Sequence, residues 1–246
     1  MYLRKNLLRQ LYRKRELCLL AKKKNITHGI DFIFPEIAEW KKVKALLDTK
    51  TLGRLQHISV NWDFLSYDIK NKKSSWKTSV AEGGGALSFF FSHGLQYLEH
   101  FAGKISEVKS VFAYSKESIN KGEVGVDMAL KFTDDVTGYA HIQCNCRNFT
   151  RHQLIFQCER GTIVLENNKS VVDNFTITVH SAHGAKQLKV KGDTGLKHED
   201  ERVKMVRKLA ARFVTACLHN KQMIPSFREG VRVQELIEKI RVEKIR

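Results

Sequence analysis

Between Ser106 and Val190 the chain is written almost entirely in short β-type runs, and this concentration limits the fold more than any other feature. The runs are Ser106–Ser115, Val124–Phe132, Thr137–Cys146, Gln153–Cys158, Thr162–Glu166, Phe175–His180 and Gln187–Val190. Asp134-Asp135, Arg160-Gly161 and Asn167-Asn168 supply turn chemistry between them, so an antiparallel meander is expected. Two earlier stretches read the same way: Ile26–Phe34 (ITHGIDFIF), stopped by Pro35, and Arg54–Phe64 (RLQHISVNWDF). Together they bring the expectation to nine strands.

Helical periodicity occupies the remainder: Leu7–Lys24, Pro35–Leu47, Gly85–Phe101 closed by Gly103, His198–His219 and Arg228–Lys244, with Pro225 separating the last two. Strands gathered into one run with helices before and after predict an α+β domain, one large mainly antiparallel sheet with helices on one face. A sheet that broad has a second face. If no helix of the chain covers it, a partner subunit is the natural cover, and a homodimer through the sheet face is expected.

At 246 residues with 42% hydrophobic side chains, the chain can fill a sizeable core. No apolar run reaches the roughly 18 residues of a membrane span. The amino terminus is too interrupted by charge for a signal peptide, and a cytoplasmic protein is expected. Forty-three basic against 26 acidic residues give a net charge of +17, which attracts polyanions whatever the fold. The excess lies in Arg4–Lys24 and Arg202–Arg246, on the solvated faces of expected helices and without interleaved stacking aromatics. Specific nucleic-acid binding is therefore not expected. Five cysteines suit reduced thiols better than a disulfide framework. Cys144 and Cys146, with His141 on the same expected strand, lack a second ligand pair at zinc spacing, so no metal is assigned.

The helix beginning GGGALSFFFSHGLQYLEHF carries the chemistry. Gly83, Gly84 and Gly85 let the backbone approach a ligand and leave N–H groups at the helix start where a hydroxyl or anion could bind. Phe89, His93, Gln96, Tyr97 and His100 fall on one helical face at i, i+4, i+7, i+8 and i+11. A histidine there can act in proton transfer; a histidine beside phenylalanines can equally be a packed core residue. Trp76 and Lys77, in the polar segment Ser66–Glu82, join Gly84, Gly85, Gln96 and Tyr97 as candidate substrate contacts, with the loop from Arg147 to His152 behind them.

The ordered set Phe32-Ile33-Phe34-Pro35, Leu46-Leu47, Gly53-Arg54-Leu55, Trp76, Gly83-Gly84-Gly85-Ala86-Leu87, His93, Gly103 and Pro225-Ser226-Phe227-Arg228-Glu229-Gly230 with Gln234 resembles the C-terminal domain of the Gfo/Idh/MocA family. The likeness runs from about Asn25 to Ile240. It implies an NAD(P)-dependent oxidoreductase acting on a sugar or cyclitol hydroxyl, with His93 at the position of the family's catalytic histidine. The family's aspartate four residues earlier is Phe89 here, and the glycine two before the histidine is Phe91.

Family members also carry a Rossmann domain with a glycine-rich phosphate loop, and the 15 glycines of this chain contain no G-x-G-x-x-G. The resemblance thus implies residues 1–24 as a helical remnant of the domain junction and 25–246 as a substrate-binding and dimerisation domain. The resemblance also implies NAD or NADP as cofactor, not bindable by this chain alone; a truncated or split domain, inactive by itself, is expected, with a separate Rossmann-domain protein as a possible partner. Two alternatives stand beside that reading: a non-catalytic sugar-binding or dimerisation module, and a basic nucleic-acid-binding protein.

Overall fold

The computed structural model describes residues 15–115 and 122–245. Its centre is one eight-stranded sheet: β1 (Leu55–Asp63), β2 (Ile105–Tyr114), β3 (Glu123–Phe132), β4 (Thr137–Gln143), β5 (Arg151–Cys158), β6 (Gly161–Asn167), β7 (Thr176–Ser181) and β8 (Gly184–Leu188). The helices are α1 (described over residues 15–23), α2 (Ala38–Asp48), α3 (Tyr67–Lys70), α4 (Phe91–Ala102), α5 (Val203–Leu218) and α6 (Phe227–Val242). The first half of the expected opening helix, from Leu7, lies outside the described residues.

Alternation builds the core. Val126, Met128 and Leu130 of β3, Ala140 and Ile142 of β4, Ile58 and Val60 of β1, Leu154 and Phe156 of β5, and Leu165 of β6 are all buried on one face. Their partners across the ladders match, Met128 opposite Ala140 and Val60 opposite Leu154, so a single register buries every apolar side chain at once. Trp40 of α2, Phe91, Leu95 and Leu98 of α4, and Leu236, Ile237 and Ile240 of α6 complete the layer. Arg232 of α6 grips Glu99 of α4 at 2.7 Å. Glu36, 2% exposed, is held by Lys41 and by Arg212 of α5. At the start of α6 the Ser226 hydroxyl accepts the Arg228 amide, and the Ser226 amide donates to Glu229 at 2.7 Å.

Three sequence expectations change. The sheet is not a simple meander: its order is β2-β3-β4-β1-β5-β6-β7-β8, and β1 lies between β4 and β5, parallel to β4 and antiparallel to β5. Turn signals give the order of strands along the chain, whereas an early strand with two good edges can be inserted anywhere in the ladder. The strand expected at Ile26–Phe34 does not form; the segment crosses over the helices and ends in a 3-10 turn, Phe34–Glu36, so eight strands replace nine. Its composition is β-like, but its polar groups are taken by the stretch before α6, the Ile30 amide donating to the Pro225 carbonyl and His28 Nδ1 accepting the Phe227 amide. Finally, the helix expected from Gly85 opens with a π turn, Ala86–Phe90, before α4.

Candidate functional site

Gly84 and Gly85 are required by packing, Gly83 only by its φ of +91°. A Cβ on Gly84 would stand 2.2 Å from the Trp76 carbonyl oxygen and 2.4 Å from that of Lys77, so the 3-10 turn Trp76–Thr78 lies directly on this backbone. Gly85 has φ +92°, and a Cβ there would meet the Glu123 carboxylate at 2.3 Å. That carboxylate, buried at the start of β3, accepts the Leu87 amide at 3.3 Å and the Arg241 guanidinium at 2.8 Å. Arg241 also donates to the Ser88 hydroxyl at 2.9 Å. The helix start expected to receive a ligand anion is therefore filled by the protein's own carboxylate.

Beside this turn opens a cleft of about 550 Å³, lined among others by Phe64, Tyr67, Lys77, Phe89, Phe90 and Glu123. The aromatic rings form a continuous wall: Phe64 to Phe90 at 4.9 Å, Phe90 to Phe89 at 4.7 Å and Phe89 to Trp76 at 5.1 Å between centroids. The Lys77 ammonium sits 5.3 Å from the Phe89 ring centre. Arg202, Asp68, Asp200 and Glu201 line the cleft with Lys77, and an apolar wall faced by such charged groups can stack the C–H face of a ring-shaped polyol and hydrogen-bond its hydroxyls, while Glu123 is taken up by Arg241 and the Leu87 amide.

The structure separates the other candidates. A π turn closes i→i+5 bonds, so the four-residue spacing between Phe89 and His93 does not keep them on one face. Phe89 lines the cleft, while His93 packs edge-on against Phe32 at 5.5 Å and Phe34 at 5.7 Å, under the segment that crosses the helices. Its Nδ1 is buried with no partner among the described residues, and burial pushes its pKa down to about 4. The imidazole is thus neutral near pH 7 and can accept a hydrogen bond.

Tyr97 is fully buried; its hydroxyl meets His152 Nε2 at 3.1 Å, and His152 stacks on Trp62 at 4.6 Å. Burial raises the Tyr97 pKa and drives that of His152 down to about 3. Gln96 turns away from the cleft, into a depression that also holds Arg15, Glu99, His100 and Arg232. Trp76, Lys77, Gly84 and Gly85 thus gather at the cleft, while His93, Gln96 and Tyr97 do not line it. Arg151, expected in a loop, is the first residue of β5 and pairs with Asp63 at 2.7 Å. His141 contacts Asp63 and Asp127 instead of the nearby cysteines, and burial lifts the Cys144 thiol to about 12. Phe64, Tyr67, Glu123 and Arg241 were missed. The first two are aromatics next to a polar loop and were readable; the Glu123–Arg241 pair joins residues 118 apart and left no local signal.

The fold, one mixed sheet with helices packed on it, is that of a known domain family. A model of the GFO/IDH/MocA C-terminal domain matches residues 40–164, and the chain belongs to this family. An uncharacterized oxidoreductase of Synechocystis sp. is 26% identical over 239 residues, covering 91% of this chain and 64% of that relative. The chain therefore spans less than two thirds of the relative's length. Solved structures share the fold at low identity. A putative NADPH-dependent oxidoreductase from Desulfitobacterium hafniense superposes with TM-score 0.79 at 13% identity, over 95% of this chain and 67% of that one. Levoglucosan dehydrogenase in complex with NADH and levoglucosan gives 0.74 at 18%, over 89% and 64%. The 3-ketoreductase KijD10 from Actinomadura kijaniata, in complex with NADP and TDP-benzene, gives 0.73 at 15%, over 95% and 67%.

The glycine-led helix start at Gly83–Gly85 does not fit a nicotinamide dinucleotide. Its pyrophosphate needs open backbone N–H groups at a glycine-led helix start. The start at Gly83–Gly85 is covered by the Trp76 and Lys77 carbonyls and carries the Glu123 carboxylate, which would repel phosphate. No helix among the described residues is long and apolar enough to cross a membrane.

Proposed function

We propose that this chain is the substrate-binding half of an NAD(P)-dependent oxidoreductase acting on a sugar or cyclitol hydroxyl, and that it is inactive without a cofactor domain. Residues 1–24 serve as the junction and 25–246 as the substrate and dimerisation domain. The observation that carries this reading is the aromatic cleft flanking the glycine-led π turn, with Lys77 at its wall to take a hydroxyl. Levoglucosan dehydrogenase, which shares the fold, was solved with levoglucosan and NADH, and supports a polyol in such a domain.

The resemblance gives the proton-transfer role to His93, which here packs under Phe32 and Phe34 and not on the cleft wall, so that role requires the crossing segment to move aside. Its neutral imidazole could then accept the proton of the alcohol, and a bound nicotinamide cofactor would supply the hydride acceptor. Phe89, at the position of the family's aspartate, gives that imidazole no carboxylate partner. This favours a second reading, in which the cleft binds sugar without turnover. In either case a homodimer through the uncovered sheet face is expected, with the roughly 1,200 Å² of a stable interface.

Calorimetry of the purified chain with a panel of cyclitols and monosaccharides tests the proposal. One ligand class should bind, Phe90→Ala and Lys77→Ala should each weaken it about tenfold or more, and NAD(P) should yield no turnover. Equal affinity for both variants and the wild type would remove the cleft from consideration.

A further inference from the structure

Gln96, expected at the cleft, belongs instead to the wall of a separate depression of about 590 Å³ between α1, α4 and α6. It is 9% exposed; its carboxamide oxygen is buried without a partner, and its nitrogen has none among the described residues. A buried amide left unpaired destabilises the fold that keeps it, so its place on a cavity wall points to a group arriving from outside. Turned about its last torsion, the same carboxamide offers either its oxygen or its N–H. An alcohol hydroxyl, which both donates and accepts, matches it in either setting.

The charges around this depression do not cancel. Its three carboxylates are engaged within the protein: Glu99 accepts Arg232 at 2.7 Å and the Ile105 amide at 2.9 Å, Glu229 accepts the Ser226 amide at 2.7 Å, and Glu235 pairs with Arg15. Lys104 and Arg228 line the same space, are exposed, and have no acidic partner among the described residues. Two cations are therefore left over where every acid is already occupied. Leu19, Ile224 and Val231 add apolar surface, and the volume lies within the range of small-molecule sites. This depression shares no lining residue with the aromatic cleft.

We propose that this depression is a second ligand site, and that it binds a small hydroxylated anion. A carboxylate or phosphate is held by Lys104 and Arg228, the guanidinium offering paired N–H donors and the ammonium a point charge. One hydroxyl of the same molecule satisfies the Gln96 carboxamide, and its carbon chain lies along Leu19, Ile224 and Val231. Neither charge alone nor the amide alone selects this class; the combination asks for an anion and an alcohol in one compact molecule. The inference stands apart from the cyclitol reading, because none of its groups belongs to the cleft.

The test is calorimetry of the full chain in about 0.15 M salt, which screens the general attraction of a +17 protein for anions. The probes are D-gluconate, glucose 6-phosphate, glucose and inorganic phosphate. Gluconate, glucose 6-phosphate or both should bind, their relative affinities telling carboxylate from phosphate, and glucose should not displace them. Lys104→Gln/Arg228→Gln and Gln96→Met should each weaken that binding about tenfold or more. Failure of both anions to bind, or wild-type affinity in Lys104→Gln/Arg228→Gln, would overturn the site. Displacement by glucose, or a loss caused by Lys77→Ala, would place the anion in the cleft and overturn it equally. Inorganic phosphate binding as tightly as glucose 6-phosphate, or Gln96→Met at wild-type affinity, would overturn the hydroxyl contact. Gln96→Met exchanges an unpaired amide for an apolar chain of similar size, so a melting temperature at or above that of the wild type is expected and shows that the variant is folded.

Discussion

The two faces of the sheet are made by the same strands and have opposite chemistry. On the covered face, Ile58, Val60, Leu154, Phe156, Val126 and Met128 are almost without exposure. One residue along each strand, the other face carries Ser59, Asn61, Gln153, Asp127, Tyr139 and His141, mostly half-buried, together with the buried Asp63. There Arg151 clasps Asp63 with bonds of 2.9 and 2.7 Å, His141 spans Asp63 and Asp127 at 3.1 and 2.8 Å, and the Tyr139 hydroxyl donates to Asp127. Period-two alternation thus sorts one sequence into a layer that holds the fold and a layer available for assembly. The difference teaches that polar side chains on a strand need not mark a site; here they bond one another across β1, β3, β4 and β5.

The contrast is broken most severely from the covered side. Trp40 is 1% exposed and packs on Tyr97 and Phe101. Trp40→Ala should cost about 3–5 kcal/mol through lost burial and a residual cavity. Chemical denaturation measures it; a loss under 1 kcal/mol would mean that the helix layer carries little of the stability.

Acid should act on the same layer. Burial holds His152 at about 3, and His93 and His100 at about 4, all below the ordinary 6.5. Between pH 6.5 and about 4 the unfolded chain binds protons that the folded chain refuses. The stability these neutral imidazoles contribute is therefore complete above pH 7 and falls as pH drops through that window. Each group should cost roughly 1–2 kcal/mol by pH 5. Denaturant midpoints unchanged from pH 7.5 to 5 would contradict the assignment, and His152→Phe should flatten the slope.

A smaller effect is expected on the open face. Asp63→Asn leaves Arg151, itself partly exposed, without its charge partner and should cost about 1–3 kcal/mol. Double-mutant cycles with Arg151→Met should show coupling, and additivity would dissolve the network into separate contacts. Smallest of all, Tyr139→Phe removes one exposed hydroxyl bond and should change stability by less than about 1 kcal/mol. A larger loss would show that the face is structural in its own right, and that the comparison between the layers is less sharp than drawn.

Much of the architecture was readable in advance. Seven of the β-type runs became β2 to β8, and Arg54–Phe64 became β1, because alternation and turn residues act within a few positions of themselves. Gly85–Phe101 and the two closing helices were legible from their spacing for the same reason. At the cleft, Trp76 and Lys77 were found beside the glycines, but Gln96, Tyr97 and His93 were grouped with them by a helical period that the π turn interrupts.

What the sequence determined by itself is therefore local and periodic: which segments alternate, where turns break them, which family the ordered motifs resemble, and that the glycine fingerprint of a dinucleotide site is absent. Tertiary structure alone decided that β1 inserts between β4 and β5, that Glu123 and Arg241 close the helix start, and that Ile26–Phe34 stays out of the sheet. Each of these joins groups far apart in the chain. A carboxylate finds an amide 36 residues away, and a strand-like segment settles against the stretch before α6 instead of a sheet edge, only after the rest of the molecule has packed and fixed which neighbours remain.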